Sequence, residues 1–336
     1  MNISILKRMM VAGVVVMSML SGTAQAQSWL KPISLHWFEA FLPMVREGSA
    51  LADVPDGSSQ ATAAGTDPTL REKLNLPTPA NQKLPSLFLV GDSTVRNGRG
   101  DGAHNQMGWG EPIAAYFNTS KINVVNRASG GRSSRTYITE GHWAETLALI
   151  KPGDVVLIQF GHNDSGLIDD PARARASLPG VGDETKEIDN PILKKHETVH
   201  TFGWYLTQYV NDTRAKGATP IICSLIPRKI WKDGKIVRGT ASYGGWAKEV
   251  AEKQHIGFID LNEITARKYD ALGEAAVEPL FGDEHTHTTL PGAIINAESV
   301  VSGLKALPSD PLAPYFSAKG EVILPFIANY GQGLIR

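Results

Sequence analysis

From residue 85 onward the chain alternates between short apolar runs and longer stretches with helical periodicity. Apolar runs that end at glycine, proline or polar residues are typical of buried strands. The predicted strands lie at residues 87–90, 122–126, 154–160, 219–225 and 256–261. The predicted helices lie at residues 110–118, 141–150, 198–216, 243–255 and 290–306.

This alternation of strands and helices predicts a parallel sheet with helices on both faces. We therefore expect an α/β fold, a flavodoxin-like three-layer sandwich with a five-stranded parallel sheet. Functional groups gather beyond the carboxyl ends of such strands. A first insertion (residues 165–195) and a second insertion (residues 228–239) follow predicted strands, and Asp233-Gly234 in the second indicates a hairpin. We interpret both insertions as the rim of a site, with surface elaboration as the alternative.

Residues 1–26 have the pattern of a secretory signal peptide. Lys7 and Arg8 precede an apolar run over residues 9–20, and Ala24-Gln25-Ala26 is an A-x-A cleavage signal. The apolar run is too short to span a bilayer comfortably. Cleavage after Ala26 would leave no cysteine at the new N-terminus for a lipid anchor. We predict a secreted or periplasmic protein without a membrane anchor.

The rest of the chain divides by composition. Residues 27–84 are predicted to be an N-terminal extension and linker, residues 85–307 the main domain, and residues 308–336 a C-terminal extension that packs on it. The formal net charge is −1 and no basic run stands out, which argues against a nucleic-acid partner. A monomer is expected. The single cysteine, Cys223, lies in a predicted strand and is interpreted as a core thiol.

Four polar blocks lie where predicted strands end or where the last helix begins. They are Gly91-Asp92-Ser93-Thr94, the run from Asn126 to Ser133, Gly161-His162-Asn163-Asp164, and the run from Gly282 to Thr288. Ser93 offers a hydroxyl, which becomes an effective nucleophile when a base takes its proton and donors bind the oxyanion. A glycine N–H of the second block and the Asn163 amide can donate to that oxyanion. His287 can act as the base if an acidic residue orients its ring.

In their order and details these blocks resemble the SGNH, or GDSL-like, hydrolase superfamily, and most closely its rhamnogalacturonan acetylesterase-like family. The resemblance covers residues 85–307. It is carried by Gly91-Asp92-Ser93-Thr94, Gly108-Trp109-Gly110-Glu111, Gly131-Arg132-Ser133, Phe160-Gly161-His162-Asn163-Asp164, Glu197-Thr198-Val199 and His285-Thr286-His287-Thr288. The resemblance implies that Ser93 is the nucleophile and His287 the base. It also implies that Gly131, with Gly130 as the alternative, and Asn163 complete the oxyanion hole.

One position departs from the family pattern, which has an aspartate three residues before the catalytic histidine. Glu284 stands there in this chain, and Asp283 is displaced by one residue. Because spacing decides which carboxylate reaches the ring, we expect Glu284 to orient His287, with Asp283 as the alternative.

The resemblance implies a serine esterase without a cofactor. It would remove O-acetyl groups from a polysaccharide, pectic rhamnogalacturonan, through an acetyl-Ser93 intermediate. The alternatives are another acyl ester (acetylated xylan, a surface glycan or a lipid) and a non-catalytic glycan-binding relative, which the departure at Glu284 would favour. Arg132 and Trp109 are expected to contact the substrate, and Arg132 or Arg135 could bind the carboxylate of an acidic sugar.

A competing motif is His196-Glu197-Thr198-Val199-His200, which matches the HExxH pattern of zinc peptidases. In metzincins a third histidine ligand would stand at position 206, which is Leu206 here. The superfamily resemblance accounts for Glu197 and Thr198 without His196. We therefore expect no metal.

Overall fold

The computed structural model describes residues 75–239 and 241–328. The predicted signal peptide, most of the N-terminal extension and the last eight positions of the C-terminal extension (residues 329–336) lie outside this part of the chain. Within it, no helix combines the length and the apolar character needed to cross a membrane.

A parallel sheet forms the centre of the described residues. In chain order the strands are β1 (Ser86–Gly91), β2 (Asn123–Asn126), β3 (Val155–Gln159), β4 (Thr185–Asn190), β5 (Lys195–His200), β6 (Thr219–Cys223), β7 (Trp231–Lys232), β8 (Lys235–Ile236) and β9 (Gly257–Ile259). Five of them form one sheet in the order β2-β1-β3-β6-β9. All four pairings within it are parallel, which confirms the predicted α/β fold.

Helices cover both faces of this sheet. They are α1 (Ser134–Thr139), α2 (His142–Leu147), α3 (Phe202–Ala215), α4 (Tyr243–Lys253), α5 (Leu261–Leu272), α6 (Glu274–Val277), α7 (Leu290–Lys305) and α8 (Ala318–Glu321). The stretch predicted as a helix at residues 110–118 is a short 3₁₀ helix, Pro112–Tyr116.

Strand β1 shows why the core has two halves. Side chains alternate across a strand. Leu87 and Leu89 therefore pack on the side covered by α5 and α7, and Phe88 and Val90 pack on the side covered by α3 and α4. Every residue of β1 is buried, as expected for an interior strand of a sheet covered on both faces.

Two predicted boundaries are wrong. Residues 195–200 form β5 in an antiparallel hairpin with β4, where the sequence predicts the start of a helix. The sequence also predicts a strand up to residue 261, whereas helix α5 begins at Leu261. Asp260 caps this helix by accepting a hydrogen bond from the Glu263 N–H (3.2 Å), so a single residue separates strand from helix.

The two insertions differ in how they are held. The second contains the β7–β8 hairpin, and the positive φ angles of Asp233 (52°) and Gly234 (73°) confirm the predicted turn. The first is anchored by Arg135 on α1, whose Nη1 donates to the carbonyl oxygens of Ile168 (3.0 Å) and Ala176 (2.7 Å).

The described part of the C-terminal extension contacts the segment before β2. Phe316 stacks on Phe117 with ring centroids 5.3 Å apart, and the Asn118 N–H donates to the Tyr315 carbonyl oxygen (2.7 Å).

Candidate active site

Ser93 lies in the turn that follows β1, and buried hydrogen bonds fix this turn. Asp92 Oδ1 accepts from the backbone N–H (2.9 Å) and the hydroxyl (2.7 Å) of Thr94. Gln159, the last residue of β3, donates from Nε2 to Thr94 Oγ1 (2.7 Å). The turn also requires Gly91, since a Cβ there would lie 2.6 Å from the Gln159 carbonyl oxygen. The position of Ser93 is therefore set by two neighbouring strands.

Trp109 belongs to the support of this turn. Its indole Nε1 donates to Gln159 Oε1 (2.8 Å), and the side chain is only 1% exposed. The expectation that Trp109 contacts the substrate is therefore wrong. The ring is enclosed in the core, and its single polar donor is already used within the protein.

His287 joins Ser93 to a carboxylate. Its Nε2 lies 2.8 Å from Ser93 Oγ, and its Nδ1 lies 2.5 Å from Asp283 Oδ2. Asp283 Oδ1 accepts from the backbone N–H groups of His285 (3.1 Å), Thr286 (2.7 Å) and His287 (2.9 Å). Burial alone would raise the pKa of Asp283, but these N–H donors and the His287 ring hold it below its ordinary value. The carboxylate stays ionised beside the ring.

The preference for Glu284 as the acid that orients His287 is wrong in this geometry. Glu284 is exposed, and its carboxylate lies 3.7 Å from His285 Nδ1. The chain turns around Asp283 Oδ1, which directs position 284 outward and brings Asp283 under the ring of His287. The spacing in the family pattern places the acid three residues before the histidine. It therefore does not predict a turn in which the acid four residues before the histidine contacts the ring.

The second block lies against Ser93. A Cβ built on Gly130 would be 3.5 Å from Ser93 Cβ, and Gly131 has a φ of 76°, which favours glycine. The Asn163 amide is buried and donates from Nδ2 to the Arg132 carbonyl oxygen (2.9 Å). The structure thus brings both predicted donor loops together. The roles of Gly131 and Asn163 in binding an oxyanion stay a prediction.

Arg132 lies inside this loop. Its Nε donates to Glu140 Oε2 (2.9 Å), its Nη1 donates to the Gly130 carbonyl oxygen (2.8 Å), and the residue is 4% exposed. Its predicted contact with substrate is therefore wrong, because the guanidinium is enclosed and ion-paired.

Arg135 is enclosed as well. Its Nε and Nη2 donate to the two carboxylate oxygens of Glu197, each at 2.8 Å, and its side chain is fully buried. This arginine therefore holds the β4–β5 hairpin on α1 and does not face a substrate.

Asp164 is a part of the site to which the sequence assigned no role. It is buried and accepts hydrogen bonds from the Ser134 N–H (3.1 Å), the Ser134 hydroxyl (2.5 Å) and the Ser177 hydroxyl (3.1 Å). Burial raises the pKa of Asp164 to about 7. The residue ties the Asn163 loop to the first turn of α1 and to the first insertion. Its signal in the sequence was an acid directly after Asn163, at the end of a buried strand.

His162 is buried within the same loop, and neither ring nitrogen has a hydrogen-bond partner among the described residues. Burial is the main reason that its pKa falls to about 4. Asp92 opposes this shift, while the charges of Arg228, His287 and His285 add to it. The ring is therefore neutral at neutral pH.

The HExxH segment has a different geometry from the helical zinc motif, since it lies on β5. His196 is exposed between Glu187 (3.0 Å) and Asp189 (3.0 Å), and the His200 ring stacks on Trp204 with centroids 3.7 Å apart. In residues 75–239 and 241–328 no three His, Cys, Asp or Glu side chains are grouped as metal ligands.

A parallel α/β sheet that carries a hydrogen-bonded serine, histidine and aspartate at its carboxyl edge has the architecture of a serine hydrolase. The chain belongs to the GDSL-like lipase/acylhydrolase family, whose model matches residues 89–293. This match confirms the predicted superfamily and identifies a carboxylic ester hydrolase.

Similar proteins point to one branch of this family. The chain is 32% identical over 220 residues to a rhamnogalacturonan acetylesterase of Emericella nidulans, which covers 65% of this chain and 84% of that protein. It is 31% identical over 226 residues to the probable rhamnogalacturonan acetylesterase YesY of Bacillus subtilis, which covers 66% and 93% of the two chains. The crystal structure of the Bacillus subtilis protein YxiM shares the fold, with a TM-score of 0.53 at 24% identity over 66% of this chain and 56% of that one.

Proposed function

We propose that this protein is an exported acetylesterase that removes O-acetyl groups from pectic rhamnogalacturonan through an acetyl-Ser93 intermediate. The observation that carries the proposal is the hydrogen-bonded series Ser93–His287–Asp283 at the carboxyl edge of the sheet. The substrate is supported by the two relatives named as rhamnogalacturonan acetylesterases. The non-catalytic alternative rested on the departure at Glu284, and it loses that support because Asp283 contacts His287.

In the first half-reaction Ser93 Oγ attacks the acetyl carbonyl carbon while His287 Nε2 takes the hydroxyl proton. Asp283 stabilises the imidazolium that forms. The carbonyl oxygen becomes an oxyanion, which accepts hydrogen bonds from the backbone N–H groups of Ser93 and Gly131 and from the Asn163 amide. That amide has a second N–H besides the one bonded to Arg132.

Collapse of this intermediate breaks the bond between the carbonyl carbon and the sugar oxygen. The proton on His287 Nε2 passes to that oxygen, and the deacetylated sugar leaves with a free hydroxyl. In the second half-reaction His287 takes a proton from water, which attacks the carbonyl carbon of acetyl-Ser93. The second collapse releases acetate and restores the Ser93 hydroxyl.

Acetate release from acetylated rhamnogalacturonan, with acetylated xylan in parallel, tests this function. We expect Ser93→Ala to lower kcat by about a thousandfold or more. The matched control is Ser120→Ala, because Ser120 is exposed and precedes β2 at the opposite edge of the sheet. Undiminished release by Ser93→Ala would refute the serine mechanism. Faster acetate release from xylan than from rhamnogalacturonan would show that xylan, and not rhamnogalacturonan, is the preferred substrate.

Export and domain boundaries belong to the same proposal. We propose a signal peptide over residues 1–26, an extension over residues 27–84, a catalytic domain over residues 85–307 and a C-terminal extension over residues 308–336. The supporting observation is the charged, apolar and A-x-A pattern that ends at Ala26. N-terminal sequencing of protein recovered outside the cytoplasm should begin at Gln27. Recovery only from the cytoplasm with Met1 intact would contradict export.

A further inference from the structure

Arg175, on the first insertion, reaches the second block of the site. Its Nη1 donates to the Gly131 carbonyl oxygen (3.0 Å), and this is its only side-chain hydrogen bond to the described residues. Burial, together with repulsion from Arg173, lowers the pKa of Arg175 to about 10, so the guanidinium is charged at neutral pH. Its other N–H groups have no hydrogen-bond partner among the described residues.

Arg228 approaches the site from the other side. It follows β6, whereas Ser93 follows β1 and the loop that Arg175 contacts follows β2. The N–H of the next residue, Lys229, donates to the His285 carbonyl oxygen (2.9 Å), which ties this segment to the loop of the catalytic histidine. Arg228 is half-buried, and its side chain has no hydrogen bond and no carboxylate within 4 Å among the described residues.

Several other arginines that are withdrawn from water have a carboxylate partner. The pairs are Arg96–Glu111, Arg132–Glu140, Arg135–Glu197 and Arg238–Glu263. Removing a guanidinium from water costs free energy unless an opposite charge compensates it. Two partly buried arginines without a carboxylate partner, on two sides of Ser93, therefore form a site suited to an anion from outside the chain.

The acidic groups of the site form no ion pair with either arginine, although Asp92, Asp164 and Asp170 attract the charge of Arg175 from a distance. Asp92 and Asp164 are fully buried, and Asp283 is engaged by His287 and by backbone N–H groups. The planar guanidinium fork fits a carboxylate with two parallel hydrogen bonds, and Arg228 has all its donors available for this geometry.

We propose that Arg175 and Arg228 bind the carboxylates of uronic acid residues on either side of the acetylated sugar. They would thereby select acidic glycans over neutral ones such as xylan. The choice of uronate as the anion rests on the proposed function. Arg132 and Arg135, which the sequence offered for this task, are replaced by two arginines from the insertions that we interpret as the rim of the site.

The test uses the full protein and the hydrolysis of 4-nitrophenyl acetate as a reporter. Two inhibitors are compared: a deacetylated rhamnogalacturonan oligosaccharide, and the same oligosaccharide after reduction of its uronate carboxyls to alcohols. The quantity measured is the ratio of their inhibition constants, so a general change in activity cancels. We expect the acidic form to bind the wild type about a hundredfold more tightly, with about tenfold from each of the two charge-assisted contacts.

Arg228→Gln and Arg175→Gln should each reduce this ratio severalfold, and the double variant should bring it close to one. Arg228→Lys should keep part of it, because the charge remains while the fork is lost. The control is Arg214→Gln, an exposed arginine that precedes β6 at the opposite edge of the sheet and should keep the wild-type ratio.

A wild-type ratio near one, or a ratio that neither glutamine variant changes, would overturn the carboxylate site. Failure of the proposed function has a different signature. The wild type would then hydrolyse the reporter and prefer the acidic inhibitor, yet release no acetate from acetylated rhamnogalacturonan.

Discussion

His287 Nε2 lies 2.8 Å from Ser93 Oγ, although 194 positions separate the two residues in the chain. Ser93 follows β1, an interior strand of the sheet, and His287 stands just before α7, whose buried residues belong to the same core cluster as Leu87 and Leu89 of β1. Packing on this face of the sheet therefore contributes to holding Ser93 and His287 next to each other.

The acid of the site can be assigned by paired substitutions. Asp283→Asn should lower kcat by about ten-thousandfold, since the ring of His287 loses the carboxylate that orients it and stabilises its charge. Glu284→Gln should stay within about twofold, because this side chain is exposed and does not contact His287. Steady-state kinetics on 4-nitrophenyl acetate measures both. Equal losses in the two variants would refute the assignment.

Asn163→Ala tests the oxyanion hole. One donor of this kind contributes about a hundredfold to a thousandfold in kcat, with little effect on KM, because it acts on the charge that develops in the transition state. The same kinetics, with near-ultraviolet circular dichroism to verify folding, measures this loss. A rise in KM at constant kcat would instead assign Asn163 to ground-state binding.

Asp164 predicts a pH dependence of stability. In the unfolded chain this carboxyl ionises near its ordinary pKa of 3.8, whereas burial raises the pKa to about 7 in the folded protein. The folded state therefore keeps a proton that the unfolded chain has released. Its contribution to the free energy of unfolding is fully present below pH 3.8 and is lost as the pH rises to about 7.

The comparison with Asp164→Asn isolates this effect, because the amide does not titrate. Urea unfolding between about pH 4 and about pH 8 should show the stability of the wild type, relative to the variant, falling as the pH rises. Asp169→Asn, an exposed carboxyl on the same loop, serves as the control. A wild-type curve parallel to that of Asp164→Asn would contradict the raised pKa.

The buried pair of Arg135 and Glu197 predicts a large effect on stability. Glu197→Ala leaves a fully buried guanidinium without its carboxylate and should cost about 3–5 kcal/mol of unfolding free energy. His196→Ala, on the neighbouring exposed position of β5, should stay within about 0.5 kcal/mol. Urea unfolding measures the free energy of unfolding of both variants. Similar small losses in the two would show that the Arg135–Glu197 pair does not hold the hairpin.

Local apolar patterns predict the sheet, and the family resemblance implies the roles of Ser93 and His287, which the structure brings within hydrogen-bond distance. Five apolar runs gave the strands, and their carboxyl ends gave Ser93 and Asn163. Burial of individual polar side chains depends on packing between distant segments, so the sequence alone does not show that Trp109 and Arg132 are enclosed. The choice between Asp283 and Glu284 depended on the shape of a turn, which spacing alone does not encode.

The turn around Asp283 also bears on how this enzyme can change over evolutionary time. Asp283 Oδ1 is held by the N–H groups of positions 285, 286 and 287, and any residue other than proline supplies such a group. The side chains at positions 284, 285 and 286 are therefore free to vary while the acid keeps its orientation. We expect substitutions at the exposed position 284 to change the surface beside His287 while Asp283 keeps its contact with the ring.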